Sequence, residues 1–329
     1  MSGAATGMRG QVRTVTGDVE PDALGTVNYH EHLFQRSPLL PGDDLDDEDA
    51  SGREAAELRE SGFATLVDAT PLGLGRRPDA IRRISLATGL TVVMTTGAHR
   101  REHYAADHPL LTASEDDLAA AFLRDLTAGA AEGLAPDASA PEPDPEAGPE
   151  AAPRAGVLKV GLGYWRIDDA ARRAISAVGA AHRDTGAPVM VHLEHGTAAH
   201  EALDALTAVG VAADRVALAH IDRNPDPGLH VELAARGAFL GYDGAARARD
   251  WPDSVLIDCL TEAARRGGAD RVLLGGDVAR ATRYRAYGGI PGLRYLGDRF
   301  VPRLRDAAGD DVVDRILRRN PAAWLAWRV

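Results

Sequence analysis

Eight short apolar runs recur along the chain, and helical patterns fill nearly all the gaps between them. The runs begin with the segment from Val27 to His32 and continue at residues 62–68, 90–96, 157–160, 188–192, 215–220, 238–242 and 271–277. Helices are predicted over 78–87, 115–128, 168–183, 198–209, 229–235 and 254–266. Apolar runs of this length between helices suit the strands of a parallel sheet buried on both faces. Eight such units predict an α/β fold of the closed (β/α)8 TIM-barrel type. Barrels of this kind pass about 250 residues as one unit, so the 329 residues are read as one domain over 1–329.

Four stretches stand outside the alternation. Residues 11–19 alternate apolar and polar side chains, which predicts a leading strand or hairpin. Residues 43–49 hold six acids in seven positions and read as a solvated loop entering a helix N-terminus, where acids suit the dipole. Residues 134–153 consist mainly of Ala, Pro, Asp and Glu without periodicity, and read as a disordered acidic insertion before the fourth barrel strand. Long loops and two helices are expected to finish the chain.

Charge narrows the partners. A net charge of −12 disfavours nucleic acid and anionic membrane surfaces. The single cysteine, Cys259, allows neither an internal disulfide nor a cysteine metal cluster, and it lies in an apolar helical stretch as a packed core residue. No apolar run approaches a membrane span, and residues 1–15 hold no apolar signal core, so a cytoplasmic location is the default expectation.

Active sites of such barrels lie at the C-terminal ends of the strands. Here those ends carry His30 and His32 on the first run, Lys159 on the fourth, His192 on the fifth, His220 on the sixth and Asp277 on the eighth. His30 and His32 are two residues apart, on one face of a strand, and so are placed to grip one metal ion. A bare H-x-H also occurs without a metal; the further ligand types at other strand ends favour a site. Lys159 lies within V-L-K-V, where a buried ammonium is costly. It either pairs with a carboxylate or has a lowered pKa that makes its amine a nucleophile towards carbon dioxide, giving an anionic carbamate.

With G-T-V-N-Y-H-E-H-L, V-D-A-T-P-L-G-L-G-R, V-L-K-V-G, V-M-V-H, A-L-A-H-I-D-R, L-L-G-G-D and N-P-A-A-W-L-A in place, the chain resembles the phosphotriesterase family of amidohydrolase barrels from about residue 25 to about 326. The resemblance implies two divalent metal ions. His30, His32 and Asp277 would hold the more buried ion, and His192 and His220 the other. A carbamate on Lys159 and a hydroxide would bridge them. Asp277 would also accept the proton of the attacking hydroxide. Zinc is the first expectation from a histidine-rich donor set, with manganese or cobalt compatible by ligand type.

The loops above the site are basic: G-A-H-R-R-E-H-Y at 97–104, G-Y-D-G-A-A-R-A-R-D-W-P-D-S at 241–254 and D-V-A-R-A-T-R-Y-R-A-Y-G-G at 277–289. They either pair with nearby acids or bind a phosphate through forked hydrogen bonds. The two later loops look like a branch of the family that hydrolyses phosphorylated sugar γ-lactones. Carried over, that branch implies phosphate contacts from Arg249, from Arg280 or Arg283, and from Tyr284, with Tyr104 on the ring. Arg249 stands where the branch leads us to expect lysine. His195 is read as lying behind the ligands or exposed, and His99, His103, His108, His182, His200 and His230 as surface or loop residues outside the metal set.

The expected activity is therefore a metal-dependent lactonase for an anionic small molecule. The alternatives are a phosphotriesterase or aryl esterase, and a barrel that binds a ligand without turnover; the bridging lysine argues against the last. A homodimer is common in the resembled family.

Overall fold

The computed structural model describes residues 10–134 and 152–328, so nearly all of the insertion expected over 134–153 lies outside the described residues. The chain begins with an antiparallel hairpin of β1 (Val12–Thr14) and β2 (Gly17–Val19), as the alternation predicts. Eight parallel strands follow: β3 (Val27–Glu31), β4 (Thr65–Asp68), β5 (Thr91–Ala98), β6 (Val157–Leu162), β7 (Val189–Leu193), β8 (Val216–Ala219), β9 (Phe239–Tyr242) and β10 (Val272–Leu274). Each is hydrogen-bonded to its sequence neighbour, in the order β3 to β10. The ring closes just above β10, where Asp277 N–H donates to the His30 carbonyl at 3.0 Å. Gly275 permits that approach, because a Cβ there would stand 3.0 Å from the His30 backbone nitrogen. This is the (β/α)8 barrel expected from the alternation.

Seven helices separate the strands: α1 (Glu48–Glu60), α2 (Pro78–Thr88), α3 (Glu115–Thr127), α4 (Asp169–Thr185), α5 (Ala199–Ala208), α6 (Pro227–Ala235) and α7 (Asp253–Ala263). Their starts follow local chemistry. Asp47, Ser114 and Asp168 accept from the backbone N–H three residues on, each replacing a bond that a helix N-terminus lacks. The acidic run at 43–49 is more than a solvated loop. Asp47 caps α1, and Asp43 accepts from the Thr282 hydroxyl at 2.6 Å, tying this loop to the one after β10. The C-terminus holds α8 (Val301–Ala308), α9 (Asp310–Asp314) and α10 (Asn320–Leu325), joined to π-helical turns at 296–300 and 315–319, where two helices were expected.

Two packing layers result. Val27, Val67, Val93, Val157, Met190, Ala217, Phe239 and Leu273 fill the barrel, closed below by Val12, Leu24 and Trp324. The alternate residues Leu66, Val92, Leu158, Val189, Val191 and Leu218 face the helices. Strand periodicity then places Lys159, two residues after Val157, inside the barrel. The same alternation places His192 two residues after Met190 and Asp243 four after Phe239, whereas Asp277, three residues beyond the end of β10, turns inward from a left-handed backbone. The first strand departs from this rule. Tyr29 is in the interior cluster, yet its neighbour His30 also turns inward, and the β3–β4 register shifts between Asn28 and Glu31.

Candidate active site

The side chains at the strand tops converge. His30 Nε2 and His32 Nε2 lie 3.8 and 3.6 Å from Asp277 Oδ1. The ligand atoms of these three buried residues all lie within 4.8 Å of one another. His192 Nδ1 faces His220 Nε2 at 2.8 Å. Lys159 Nζ donates to the Ala69 carbonyl at 2.6 Å within the same cavity. The structure thus brings all six expected ligand residues to one place.

Their outer hydrogen bonds set which nitrogen is free. Asp243 accepts from His30 Nδ1 at 3.0 Å through Oδ2 and from His220 Nδ1 at 2.7 Å through Oδ1, and it also accepts from the Tyr29 hydroxyl. Burial opposes ionisation of Asp243, but His220 and His30 more than offset it and hold the carboxyl well below its ordinary range. The Thr70 hydroxyl donates to the Phe34 carbonyl at 2.8 Å, so it accepts from His32 Nδ1 at 2.7 Å. Each of these three imidazoles therefore presents a lone pair on Nε2 to the centre. His192 contacts Glu194 Oε2 through Nε2 at 3.0 Å, which leaves Nδ1 inward.

Burial lowers the pKa of His32 to about 4 and of His220 to about 3, favouring the neutral imidazole that a metal requires. Burial also pushes Lys159 down to about 8, against the pull of Asp277, Asp68 and Asp243. About a tenth of its amine is then unprotonated at pH 7, the form that carbamate formation requires. Gly97 on β5 makes room for this lysine strand: a Cβ there would stand 1.9 Å from the Lys159 carbonyl oxygen. The donor chemistry fits two divalent ions: neutral imidazoles with oriented lone pairs, one carboxylate and one activatable lysine.

Two of these residues hold strained backbones. His220 has φ 65° and Asp277 φ 41°, both left-handed. For His220 this follows from the strand pattern, since Ala219 already points inward and only a reversed backbone turns the next side chain in as well. Such conformations cost about 1–3 kcal/mol each and concentrate at functional sites. Glu31 steadies the second of them by accepting from Val278 N–H at 3.0 Å.

The cavity above these residues measures about 130 Å³ and is ringed by Arg100, Arg223, Arg247 and Arg280. Arg223 and Arg247 hold Asp277 Oδ2 at 2.8 and 2.5 Å. Burial raises the Asp277 carboxyl, but Arg247, His30 and His32 outweigh it and keep the group well below its ordinary range. Arg100 pairs with Glu194 Oε2 at 3.1 Å. The buried Nε atoms of Arg100, Arg223 and Arg247 have no hydrogen-bond partner among the described residues.

The expected substrate contacts fall out unevenly. Arg280 lines the cavity and reaches Asp43 at 3.5 Å. Arg283 is half-buried over the Asp277 and Val278 carbonyls. Arg249 is exposed and does not line the cavity; Arg247, two residues earlier, points in instead. Tyr284 is fully buried, with its hydroxyl donating to the His32 carbonyl, so it supports a ligand from behind. Tyr104 also stands behind the wall: its hydroxyl donates to the Leu72 carbonyl and accepts from His99 N–H at 2.8 Å.

The histidines set aside from the metal set also need correction. His99 and His103 line the cavity, while His182 and His230 are buried and hydrogen-bonded within the fold. His108 caps a short turn and His200 is partly exposed beside Arg236. His195 is exposed behind His192. Cys259 is packed in the core as expected. Asp243 was the residue most open to discovery from sequence, because the inward alternation that starts at Phe239 reaches it just beyond the end of β9. Arg223 lies in the quoted A-L-A-H-I-D-R, but nothing in that string shows that it turns onto Asp277.

Among the described residues, no helix is long and apolar enough to cross a membrane. The phospho-furanose lactonase of Mycoplasmopsis agalactiae is 28% identical over 96% of this chain and 91% of its own length. A crystallised lactonase from Listeria monocytogenes is 28% identical, with a TM-score of 0.84 over 97% of this chain and all of that one. The phosphotriesterase homology protein of Escherichia coli, solved with phosphate in its active site, is 25% identical and gives a TM-score of 0.79 over 93% of this chain and all of that one. The model of the phosphotriesterase family matches residues 10–135 and 147–325. The chain belongs to the phosphotriesterase family.

Proposed function

We propose that the protein is a metal-dependent lactonase that opens a γ-lactone of a phosphorylated sugar. The observation that carries this reading is the ring of Arg100, Arg223, Arg247 and Arg280 around a cavity that also holds the candidate ligands, in a chain of net charge −12. A phosphate is the group that such forked donors suit. The relatives named for phospho-furanose lactonase activity, and the neighbour with phosphate in its active site, support the same substrate class.

His30, His32 and Asp277 would hold one divalent ion, His192 and His220 a second, with Lys159 between them as its carbamate; zinc suits the donors best, and manganese or cobalt also fits. When bound, the pair supplies an acidified water and a polarised scissile carbonyl. The chain's own residues do the rest. Arg247 and Arg280 anchor the phosphate at the rim and so fix the lactone's approach. Asp277 Oδ1 faces the histidines, while Oδ2 faces the rim arginines. Asp277 accepts a proton as water adds to the carbonyl carbon. The ring C–O bond then breaks, and the departing oxygen takes that proton, giving a hydroxy acid. Asp243, Thr70 and Glu194 keep the imidazoles in the required tautomers throughout.

The test is a pH-indicator assay of metal-reconstituted protein on γ-lactones of five-carbon sugars with and without a 5-phosphate. Preference for the phosphorylated compounds, lost in Arg247→Ala and kept in Arg249→Ala, is the expected result. Lactone turnover indifferent to phosphate would reassign the arginines to structure. Faster turnover of neutral aryl phosphotriesters than of any lactone would overturn the reading in favour of an organophosphate hydrolase.

A further inference from the structure

The cavity wall formed by the loop after β5 carries a second recognition device. In an eight-stranded ring, β5 lies four strands from β9, so this wall faces the Arg247 loop across the barrel mouth. His99 and His103 stack there with ring centroids 3.9 Å apart, and His99 lies 4.5 Å from the ring of His192.

Hydrogen bonds assign the two tautomers. Arg100 N–H donates to His99 Nδ1 at 2.8 Å, so the His99 proton sits on Nε2. Ser37 Oγ donates to the His103 carbonyl at 3.1 Å, so it accepts from His103 Nδ1, also at 3.1 Å. His103 therefore offers a lone pair on Nε2. One wall thus carries an N–H donor beside a nitrogen acceptor, and neither Nε2 has a protein partner among the described residues. Gln35 adds a buried Oε1, also without a partner, from the loop after β3.

A hydroxyl group matches this pair, because it accepts and donates through one oxygen. We propose that His99 and His103 bind the hydroxyl on the carbon next to the lactone carbonyl and so select hydroxylated lactones over deoxy or alkyl ones. The position follows from the geometry: a group held at His99 lies beside His192 and the reacting centre, while the phosphate is held across the mouth. Tyr104 is then a positioning residue, fixing the His99 backbone rather than touching the substrate.

This inference rests on the lactonase reading, and the test separates the two. The metal-reconstituted protein is titrated calorimetrically with a ring-opened five-carbon aldonate 5-phosphate and with its 2-deoxy and 3-deoxy analogues, with metal content measured alongside. Wild type is expected to bind the 2-deoxy compound about 10–100-fold more weakly than the parent, the effect of leaving a donor and an acceptor unpaired. His99→Phe keeps the stack but removes the donor, and is expected to retain only the smaller preference that the His103 acceptor supplies, at unchanged metal content. His99→Gln, whose amide reaches the Nε2 position, should restore part of the preference. Wild-type binding indifferent to the 2-hydroxyl, or a preference intact in His99→Phe, overturns the assignment while leaving the lactonase reading standing. Wild type that binds no aldonate and opens no lactone overturns both.

Discussion

Asp243→Asn is the most informative single change, because one carboxylate orients an imidazole of each proposed ion. Asp243 accepts from His30 Nδ1 at 3.0 Å, from His220 Nδ1 at 2.7 Å, from His220 N–H at 3.2 Å and from the Tyr29 hydroxyl. An asparagine of the same shape keeps one acceptor oxygen and turns an NH2 towards donors that also need an acceptor. At least one imidazole then loses its partner and the constraint that keeps Nε2 unprotonated. Loss of such an outer partner reduces metal affinity or activity by about 10–100-fold, or about 1.4–2.7 kcal/mol. Because Asp243 serves both sites, the fall is expected for both ions, whereas Thr70→Val should weaken only the His32 site. The assay is competition against a chelator of known affinity, followed by elemental analysis, with thermal unfolding to confirm that the variant folds. If Asp243→Asn bound both ions within twofold of wild type, the claim that this carboxylate sets the donor atoms would be wrong.

Lys159→Ala should lose at least one of the two proposed ions and reduce kcat/KM by about a thousandfold or more, since the carbamate oxygens proposed to hold them would go with the side chain; full metal content and activity in this variant would sink the carbamate. Arg76→Met should leave metal binding unchanged and lower stability by about 1–3 kcal/mol in chemical unfolding, because it removes one partner of the buried Asp125 carboxylate and leaves Arg124 and the Thr96 hydroxyl to hold it; an unchanged midpoint would show the pair to be dispensable. Deleting 135–151 should leave kcat unchanged, because the flanks already meet where Ala130 N–H donates to the Pro153 carbonyl at 2.8 Å. A large fall in kcat would make the insertion part of the site.

The barrel was legible in the chain because strand and helix periodicities are local, and short apolar runs between helices admit few alternatives. The six expected ligand residues were legible for a related reason. Lys159 and His192 occupy positions that a count of two along a strand carries to the top of the barrel interior, and Asp277 follows the end of the last strand. His30 and His220 reach the same centre only through a register shift and a left-handed backbone, and neither is visible in the order of residues. The rim was least legible. Arg247 and Arg249 are two residues apart in one loop, and which of them enters the cavity depends on the path of a backbone without a period. His99 and His103 read as loop histidines because their roles come from Ser37 on the loop after β3 and from Tyr104 and the Arg100 amide of their own loop, contacts made only once the two loops have folded over one strand end. Local pattern thus determined the scaffold and the types of candidate ligand. Tertiary packing decided which nitrogen of His30, His32 and His220 faces the centre, which arginine lines the cavity and which carboxylate holds these histidines in register, because each of those is a contact between residues far apart in the chain.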